Sequence, residues 1–286
     1  MSLSSLNLDA FAAVAKERSF SSAAKRLHIT QSALSQRVLN LEQEIGSTLF
    51  IRDPAGVKLT DLGNYLLRYC HSKETLESEF LSRVQSNQAT AVTGIVRVAA
   101  FSTITRPIII PALSDLASQF PGIRLEVRTE ELRNLPSLLF SGAADFIFGG
   151  HPVEKQGLEN HHVGFEENVL IRSATKKTRE DIYLDHDDED TTTFDFFKTQ
   201  ERQSNVLKRH FLNDIYSIIE GVRLGIGRAV VPIHLVRQIK GIKVVTGHKR
   251  LKVPVYLTYY SQPFYTQLQK LVIEHLRQEV PKHLSR

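Results

Sequence analysis

The sequence predicts an α/β protein in three parts: a small helical domain with a β-hairpin, one long helix, and a larger C-terminal domain of alternating strands and helices. Three observations carry this. Residues 1–86 hold no strand-like run longer than a few residues, and their apolar positions recur at helical spacing. The segment Ser86-Asn87-Gln88-Ala89-Thr90-Ala91 is small and polar, the composition of a hinge. From Gly94 onward, short β-branched runs alternate with amphipathic stretches, the pattern of parallel sheets with crossover helices. The parts are 1–60, 61–87, a hinge at 88–93, and 94–286.

With 286 residues, 42% hydrophobic and 23% charged, the chain can bury a sizeable core and has the balance of a soluble globular protein. Lys and Arg outnumber Asp and Glu by 36 to 31, giving a net charge of +5, which fits a nucleic-acid partner without requiring one. Cys70 is the one cysteine, so an intramolecular disulfide and a cysteine-based zinc site are excluded. The N-terminus lacks the basic-then-apolar layout of a signal peptide, and no run approaches the roughly 18 apolar residues of a membrane span. A cytoplasmic protein with no membrane partner is expected.

Asn7 or Asp9 can start the first helix, with Leu8, Phe11, Ala12 and Ala15 on one face. Ser19 is placed to cap a second, short helix from Phe20 to about Leu27, with Ala23, Ala24 and Leu27 inward. Paired alanines suit helices that cross near a right angle, where the contact must be small. His28-Ile29 makes the turn, and Thr30 caps a third helix from Gln31 to about Ile45. Leu34, Val38, Leu41 and Ile45 form its buried stripe, while Ser32, Ser35, Gln36 and Asn40 lie opposite with Gln31 at the tip. This is helix-turn-helix layout, in which the start of the second helix of the motif enters the major groove of double-stranded DNA. Uncharged Gln and Ser suit base edges, which ask for paired donors and acceptors. Leu49-Phe50-Ile51-Arg52 and Val57-Lys58-Leu59 flank Asp53-Pro54-Ala55-Gly56, a turn-forming tetrad, and read as a wing with Arg52 and Lys58 set to meet phosphates. Similar helix pairs occur in proteins that bind no DNA; the wing weighs against that reading.

Thr60 caps again, and residues 61–85 contain no Pro and no Gly after Gly63. A helix this long spans roughly 35–40 Å. Leu62, Leu66, Tyr69, Leu76 and Phe80 form an apolar seam, broken by Lys73. Such a seam needs a partner, and a second copy of the chain supplies one; packing against its own domain is the other reading. Cys70, beside the seam, reads as packing, since no second cysteine exists to resolve an oxidised thiol.

Here the residues carry a specific likeness. The stretch Phe11-Ala12-Ala13-Val14-Ala15, then Ser19 to Val38 through Ala23-Ala24-Lys25-Arg26-Leu27 and Thr30-Gln31-Ser32-Ala33-Leu34-Ser35-Gln36, then Leu41-Glu42, Gly46, Leu49 to Arg52, Leu59-Thr60 and Gly63, resembles the DNA-binding domain of LysR-type transcriptional regulators. The match runs over roughly residues 6–65 without a gap. It implies a winged helix-turn-helix, a long linker helix that pairs with that of a second subunit, and an effector domain of two periplasmic-binding-protein-like lobes. Lobe I would be about 94–165 and 262–286, and lobe II about 166–261. The positions matching Gln31, Ser32, Ser35 and Gln36 would face the groove, and that matching Arg52 would contact DNA from the wing. The DNA-binding set is then Thr30, Gln31, Ser32, Ser35, Gln36, Arg37, Arg52 and Lys58.

In lobe I, strands are expected at Ile95–Val98, Leu125–Val127 and Phe146–Gly149, with helices from Pro107 to Phe120 and around Leu135–Phe140. The passage Phe101-Ser102-Thr103-Ile104-Thr105 follows a strand and precedes a helix, where open α/β sheets bind ligands and a helix start offers N–H groups to an anion. The resemblance puts the effector cleft there, making Ser102 and Thr103 ligand candidates; simple helix capping is the alternative. In lobe II, Val169–Ile171, Val230-Val231 and Val253–Leu257 read as strands and Ile215–Leu224 as a helix. Phe211-Leu212-Asn213-Asp214-Ile215 resembles the family's second cleft segment, so Asn213 and Asp214 are candidates, with Asp214 suited to hold an amino group. Gly225-Ile226-Gly227-Arg228 lacks the Lys-Ser/Thr ending of a phosphate loop, which rejects nucleotide binding. Arg228 is unusual before a buried strand. A helix over Pro263–Val280 should return to cover lobe I.

Adjacent His161 and His162 point to opposite sides of a strand, and the acidic tract Asp185–Asp190 lacks the Gly and terminal Glu of a calcium loop, so it reads as a solvated loop and no metal is expected. No nucleophile elbow or paired-carboxylate motif is present, so an enzyme is not expected. The sequence thus predicts a homo-oligomeric regulator, dimer or tetramer, that binds DNA and a small-molecule effector such as an amino acid or organic acid, needs no cofactor, and has RNA polymerase as a further candidate partner. The alternatives are a DNA-binding protein with a vestigial, ligand-free effector domain, and a small-molecule carrier or enzyme.

Overall fold

The computed structural model describes residues 3–53, 56–85, 92–200 and 208–284. Helix α1 (Ser5–Glu17) begins ahead of Asn7, behind Ser4, and ends where Arg18 turns left-handed. Ser19 then opens α2 (Phe20–Arg26) by accepting a hydrogen bond from Ser22 N at 3.3 Å. His28 takes φ +53° in the turn, and Thr30 opens α3 (Gln31–Ile45) by accepting from Ala33 N at 3.2 Å. Gly46, at φ +75°, closes α3, a conformation that costs glycine little. Ala23 and Ala24 are buried where the helices cross, beside Val14, Leu34 and Val38.

Strands β1 (Phe50–Asp53) and β2 (Gly56–Leu59) form the antiparallel hairpin, with Arg52 opposite Val57 and Ile51 opposite Lys58. Glu42 ties it to α3, its Oε1 accepting from Leu49 N at 2.7 Å and Phe50 N at 3.4 Å. The wing tip Pro54-Ala55, the side chain of Arg52 and the hinge Ser86–Ala91 lie outside the described residues.

Thr60 caps α4 (Asp61–Gln85), accepting from Gly63 N and donating to Thr48 O, each at 3.0 Å. Here the helix and hairpin meet backbone to backbone: a Cβ on Gly63 would lie 2.2 Å from the Leu49 carbonyl oxygen. Gly to Ala ordinarily stabilises a helix interior by up to about 1 kcal/mol. At this joint the sign should reverse, and Gly63→Ala is expected to cost about 1–3 kcal/mol through overpacking. Thermal denaturation of the full chain checks it; an unchanged or raised midpoint would show that the joint gives way.

In the C-terminal part, β3 (Gly94–Ala100) pairs in parallel with β4 (Ile123–Thr129) and β5 (Phe146–Gly149). That much is the expected crossover pattern. The remainder is not parallel. β6 (Leu158–Ser173) and β11 (Leu251–Tyr260) run antiparallel against each other from Leu158–Tyr260 to Asn168–Leu251, and β11 also pairs antiparallel with β5. β9 (Ala229–Pro232) and β10 (Ile242–Val244) add antiparallel to the far half of β6. The sheet is therefore continuous across both lobes, in the order β10-β6-β11-β5-β3-β4 with β9 on β6. β7 (Ile182–Asp185) and β8 (Lys208–Phe211), which the sequence reading missed, form a separate parallel pair.

The helix expected from Pro107 starts earlier, at α5 (Ser102–Ile104), widens through a π turn at Thr105–Ile109, and continues as α6 (Ile110–Gln119). Pro107 and Pro111 have no N–H, so the regular ladder cannot close across them. α7 (Leu135–Phe140), α8 (Thr192–Thr199), α9 (Ile215–Arg223) and α10 (Ile233–Val236) follow, α8 being another element the sequence reading missed. The last helix, α11 (Gln267–Leu284), starts and ends four residues beyond the expectation. Thr266 and Gln269 form a reciprocal capping box there, Gln269 N donating to Thr266 Oγ1 at 3.1 Å and Thr266 N to Gln269 Oε1 at 3.0 Å. α11 buries Leu268, Val272 and Leu276 in the lobe I core with Val98, Ile109 and Leu113. A second core, of Ile171, Leu184, Ile218, Val222 and Val231, fills lobe II. α4 is tied to lobe I by Arg68, whose Nη1 donates to the Phe140 carbonyl at 2.8 Å.

Candidate functional site

Two regions gather the residues singled out in the sequence. The first is α3. Leu34, Val38 and Leu41 are buried beneath it, which turns Gln31, Ser32, Gln36 and Asn40 outward and exposed. Ser35 and Arg37 are half-buried on the flanks. Thr30 is committed to the cap of α3 and lies against Ser32 Oγ at 3.0 Å, so it shapes the helix start. Gln36 Nε2 donates to Asn40 Oδ1 at 2.8 Å, one turn on, which pre-orients two amides along one line. Amide side chains held this way can offer a donor and an acceptor together to an adenine edge. Lys58 is exposed on β2, on the hairpin beside this face.

The second region is the junction between the lobes. Thr103 donates from Oγ1 to Glu166 Oε2 at 3.0 Å, and its carbonyl accepts from His234 Nε2 at 3.0 Å. The second bond follows from the sequence: an α-helix would satisfy the Thr103 carbonyl with the N–H of residue 107, which is proline. His234 thus holds its proton on Nε2, and burial lowers its basicity. Burial also pushes the Glu166 carboxyl up to about 8, against the hydrogen bond from Thr103. Three elements meet at this acid: the turn after β3 from lobe I, β6 crossing between lobes, and α10 from lobe II. The expected anion site at Ser102–Thr103 therefore already faces a buried carboxyl through Thr103.

Asn213 is exposed, and Asp214 caps α9, accepting from Ser217 N at 2.7 Å and Ser217 Oγ at 2.9 Å. Partial burial works against the Asp214 charge, yet the bonds from Ser217 and Tyr216 prevail and hold its carboxyl below the usual range. Among the described residues no hydrogen bond joins Asn213 or Asp214 to Ser102 or Thr103. The two segments approach through other side chains: the Arg106 guanidinium lies 5.1 Å from the Tyr216 ring centroid. Glu166, His234, Arg106 and Tyr216 were all missed. Glu166 left one signal, an acid two and four residues ahead of the buried Asn168 and Leu170 on the same strand face.

The acidic tract is no solvated loop at its start. Asp185 is buried, bound by Thr193 Oγ1 and Arg209 Nε, and Arg209 also donates to the carbonyls of Asp187 at 3.0 Å and Asp190 at 2.5 Å. The turn so built reaches lobe I, where Arg133 pairs with Asp187 at 3.5 Å and with Glu189, and Glu131 meets His186 at 3.0 Å. Among the described residues no group of three or more His, Cys, Asp or Glu side chains could hold a metal. His161 bonds Tyr259 Oη at 2.8 Å, and Arg228 donates to Tyr183 Oη at 2.6 Å while lying over its ring. The Cys70 thiol is pushed up to about 11, by burial first and then by Asp9. No helix is long and apolar enough to cross a membrane among the described residues.

Comparison with known proteins agrees with this architecture. Residues 6–64 match the model of bacterial regulatory helix-turn-helix proteins of the lysR family, and residues 89–281 match the LysR substrate binding domain. The chain is 36% identical over 167 residues to the HTH-type transcriptional regulator ShiR of Corynebacterium glutamicum, a match covering 57% of this chain and 56% of that protein. It is 27% identical over 238 residues to the HTH-type transcriptional regulator YofA of Bacillus subtilis, covering 79% and 80%. The crystal structure of ArgP from Mycobacterium tuberculosis superposes with a TM-score of 0.79 at 23% identity, covering 99% of this chain and 98% of that one.

Proposed function

Because the chain belongs to the lysR family of bacterial regulatory helix-turn-helix proteins, we propose that its DNA-binding and effector-binding domains work through the two regions described above. The protein is a LysR-type transcription regulator. In the reading proposed here it acts in the cytoplasm as a homo-oligomer, sets α3 into the major groove, and changes its grip on a two-fold DNA site when a small molecule occupies the junction between the lobes. RNA polymerase is its downstream partner in that reading.

The observation that carries the DNA half is the outward row Gln31–Ser32–Gln36–Asn40 over a buried Leu34–Val38–Leu41 stripe. Gln36→Ala should cost on the order of 1–3 kcal/mol at the cognate site and leave binding to random DNA nearly unchanged. Fluorescence anisotropy on both duplexes checks it. Equal loss on random DNA would reduce Gln36 to a backbone contact. The effector half is supported by the convergence of the Thr103 turn, β6 and α10 on one buried polar cluster.

A further inference from the structure

We infer that Glu166 is the ligand-reading group of the inter-lobe junction, and that the effector it takes carries a cationic nitrogen, an ammonium, amidinium or guanidinium. This rests on the junction being the effector site and adds the chemical class of its ligand.

Two acidic side chains are buried below a tenth of their surface among the described residues, Glu166 and Asp185. They are provided for differently. Asp185 has both oxygens engaged, one by Thr193 and the other by the Arg209 guanidinium. Glu166 has one engaged oxygen: Oε2 accepts from Thr103, while Oε1 is buried with no hydrogen-bond partner. The basic group nearest Oε1 is His234 Nε2 at 3.6 Å, and its proton is directed to the Thr103 carbonyl. The adjacent Glu167 faces away and takes Arg250 and Lys252. Arg106, on the same turn as Thr103, is laid against Tyr216 of α9. No arginine or lysine of the described chain therefore pairs with Glu166.

A buried polar atom without a partner is costly, and a buried carboxylate without a cation more so, unless it stays protonated. Burial raises this carboxyl to about 8, so it is held largely neutral near pH 7. A ligand nitrogen with N–H groups and a positive charge provides both missing items, a donor to Oε1 and a compensating charge, through a charge-assisted hydrogen bond. Binding then displaces the Glu166 proton. The carboxylate formed also strengthens the bond from Thr103, so occupancy acts on a link between lobe I and the crossing strand. The groups facing Glu166 are Thr103 from the turn after β3 and His234 from α10, and burial lowers the pKa of His234, so the proton released is the acid's own.

The test uses the full-length protein, with agmatine, putrescine and n-butylamine as cationic probes and succinate, butyrate and butyramide as anionic and neutral ones. Thermal shift and titration calorimetry, in buffers of different ionisation heat, are run on wild type, Glu166→Gln and Thr103→Val. At least one cationic probe is expected to bind wild type with proton release. Its affinity should rise by close to tenfold per pH unit below about 8 and level off above. Glu166→Gln should bind it more than about tenfold less well and lose the pH dependence, while melting no lower than wild type, since a neutral isostere replaces an uncompensated acid. Equal binding by Glu166→Gln, or binding without proton release, overturns the inference. If anionic or neutral probes alone bind wild type and Thr103→Val loses them, the junction stands as the effector site and the cationic class falls. If no probe of any class binds, both fall.

Discussion

Leu76→Asp is expected to separate the assembled regulator into single chains and to abolish cooperative binding to paired half-sites. α4 turns Leu62, Tyr65, Tyr69, Leu76, Phe80, Leu81 and Val84 outward, and Leu76 and Phe80 keep 56% and 66% of their surface exposed. A helix that leaves this much apolar surface in water is expected to take a partner, since contiguous apolar patches of this kind mark interfaces. Leu66, which the sequence reading set in the same seam, is buried instead of exposed. It is buried with Leu8, Phe11 and Leu41 and anchors α4 to its own domain. The start of the helix is thus partly covered by its own domain while Leu76 and Phe80, farther along, are not, and a change at Leu76 can be made without touching that core. Asp at position 76 would be solvated in a single chain and buried without a partner between two, at a cost of several kcal/mol for the assembly. Analytical ultracentrifugation should show dimer or tetramer giving way to monomer while the melting of the single chain is little altered. An intact assembly would place the seam outside the interface.

The error over Leu66 shows what periodicity can and cannot convey. Steps of three and four residues identify apolar positions on a helix, but they do not say that Leu66 is covered by its own domain while Leu62 and Tyr69 are left exposed. The first three helices were legible because their signals are local: Ser19 and Thr30 are followed by the backbone donors they cap, and Ala23-Ala24 sits where helices cross. The strand positions at Ile95–Val98, Leu125–Val127, Phe146–Gly149 and Val230-Val231 were legible for the same reason, whereas β7, β8 and the direction of pairing were not. The antiparallel joining of β6 and β11 depends on contacts some ninety residues apart, and no local pattern reports it. The junction was half legible. Ser102 and Thr103 sit at a strand-to-helix step, which topology marks, but Glu166 and His234 reach Thr103 only through the folded lobes. Pro107 was the missed local clue, because a carbonyl left unserved by a proline four residues on must find another donor.

Removing Arg209 should be the most damaging single change within lobe II. Its guanidinium meets the buried Asp185, donates to the carbonyls of Asp187, Asp188 and Asp190, and lies 4.9 Å from the ring centroids of both Phe194 and Phe211. Arg209→Ala leaves Asp185 with Thr193 alone and strips the acidic turn of its central donor. Breaking a buried pair from one side typically costs about 3–5 kcal/mol, whereas an exposed pair costs under about 1. Chemical denaturation should therefore show a large drop. The same turn carries the contacts to Arg133 and Glu131 of lobe I, so the lobes should also separate more readily and proteolysis across residues 185–200 should quicken. A second substitution separates charge from packing. Burial already raises the Asp185 carboxyl, and losing Arg209 raises it further, so the protonated acid is the form that the variant fold tolerates. With the folded pKa above the unfolded one, stability is retained at low pH and lost as pH rises through the folded value. The deficit of Arg209→Ala should accordingly shrink in acid and widen in alkali, and adding Asp185→Asn should recover part of it at neutral pH. A deficit that is constant with pH and unmoved by Asp185→Asn would assign the role of Arg209 to its stacking on Phe194 and Phe211.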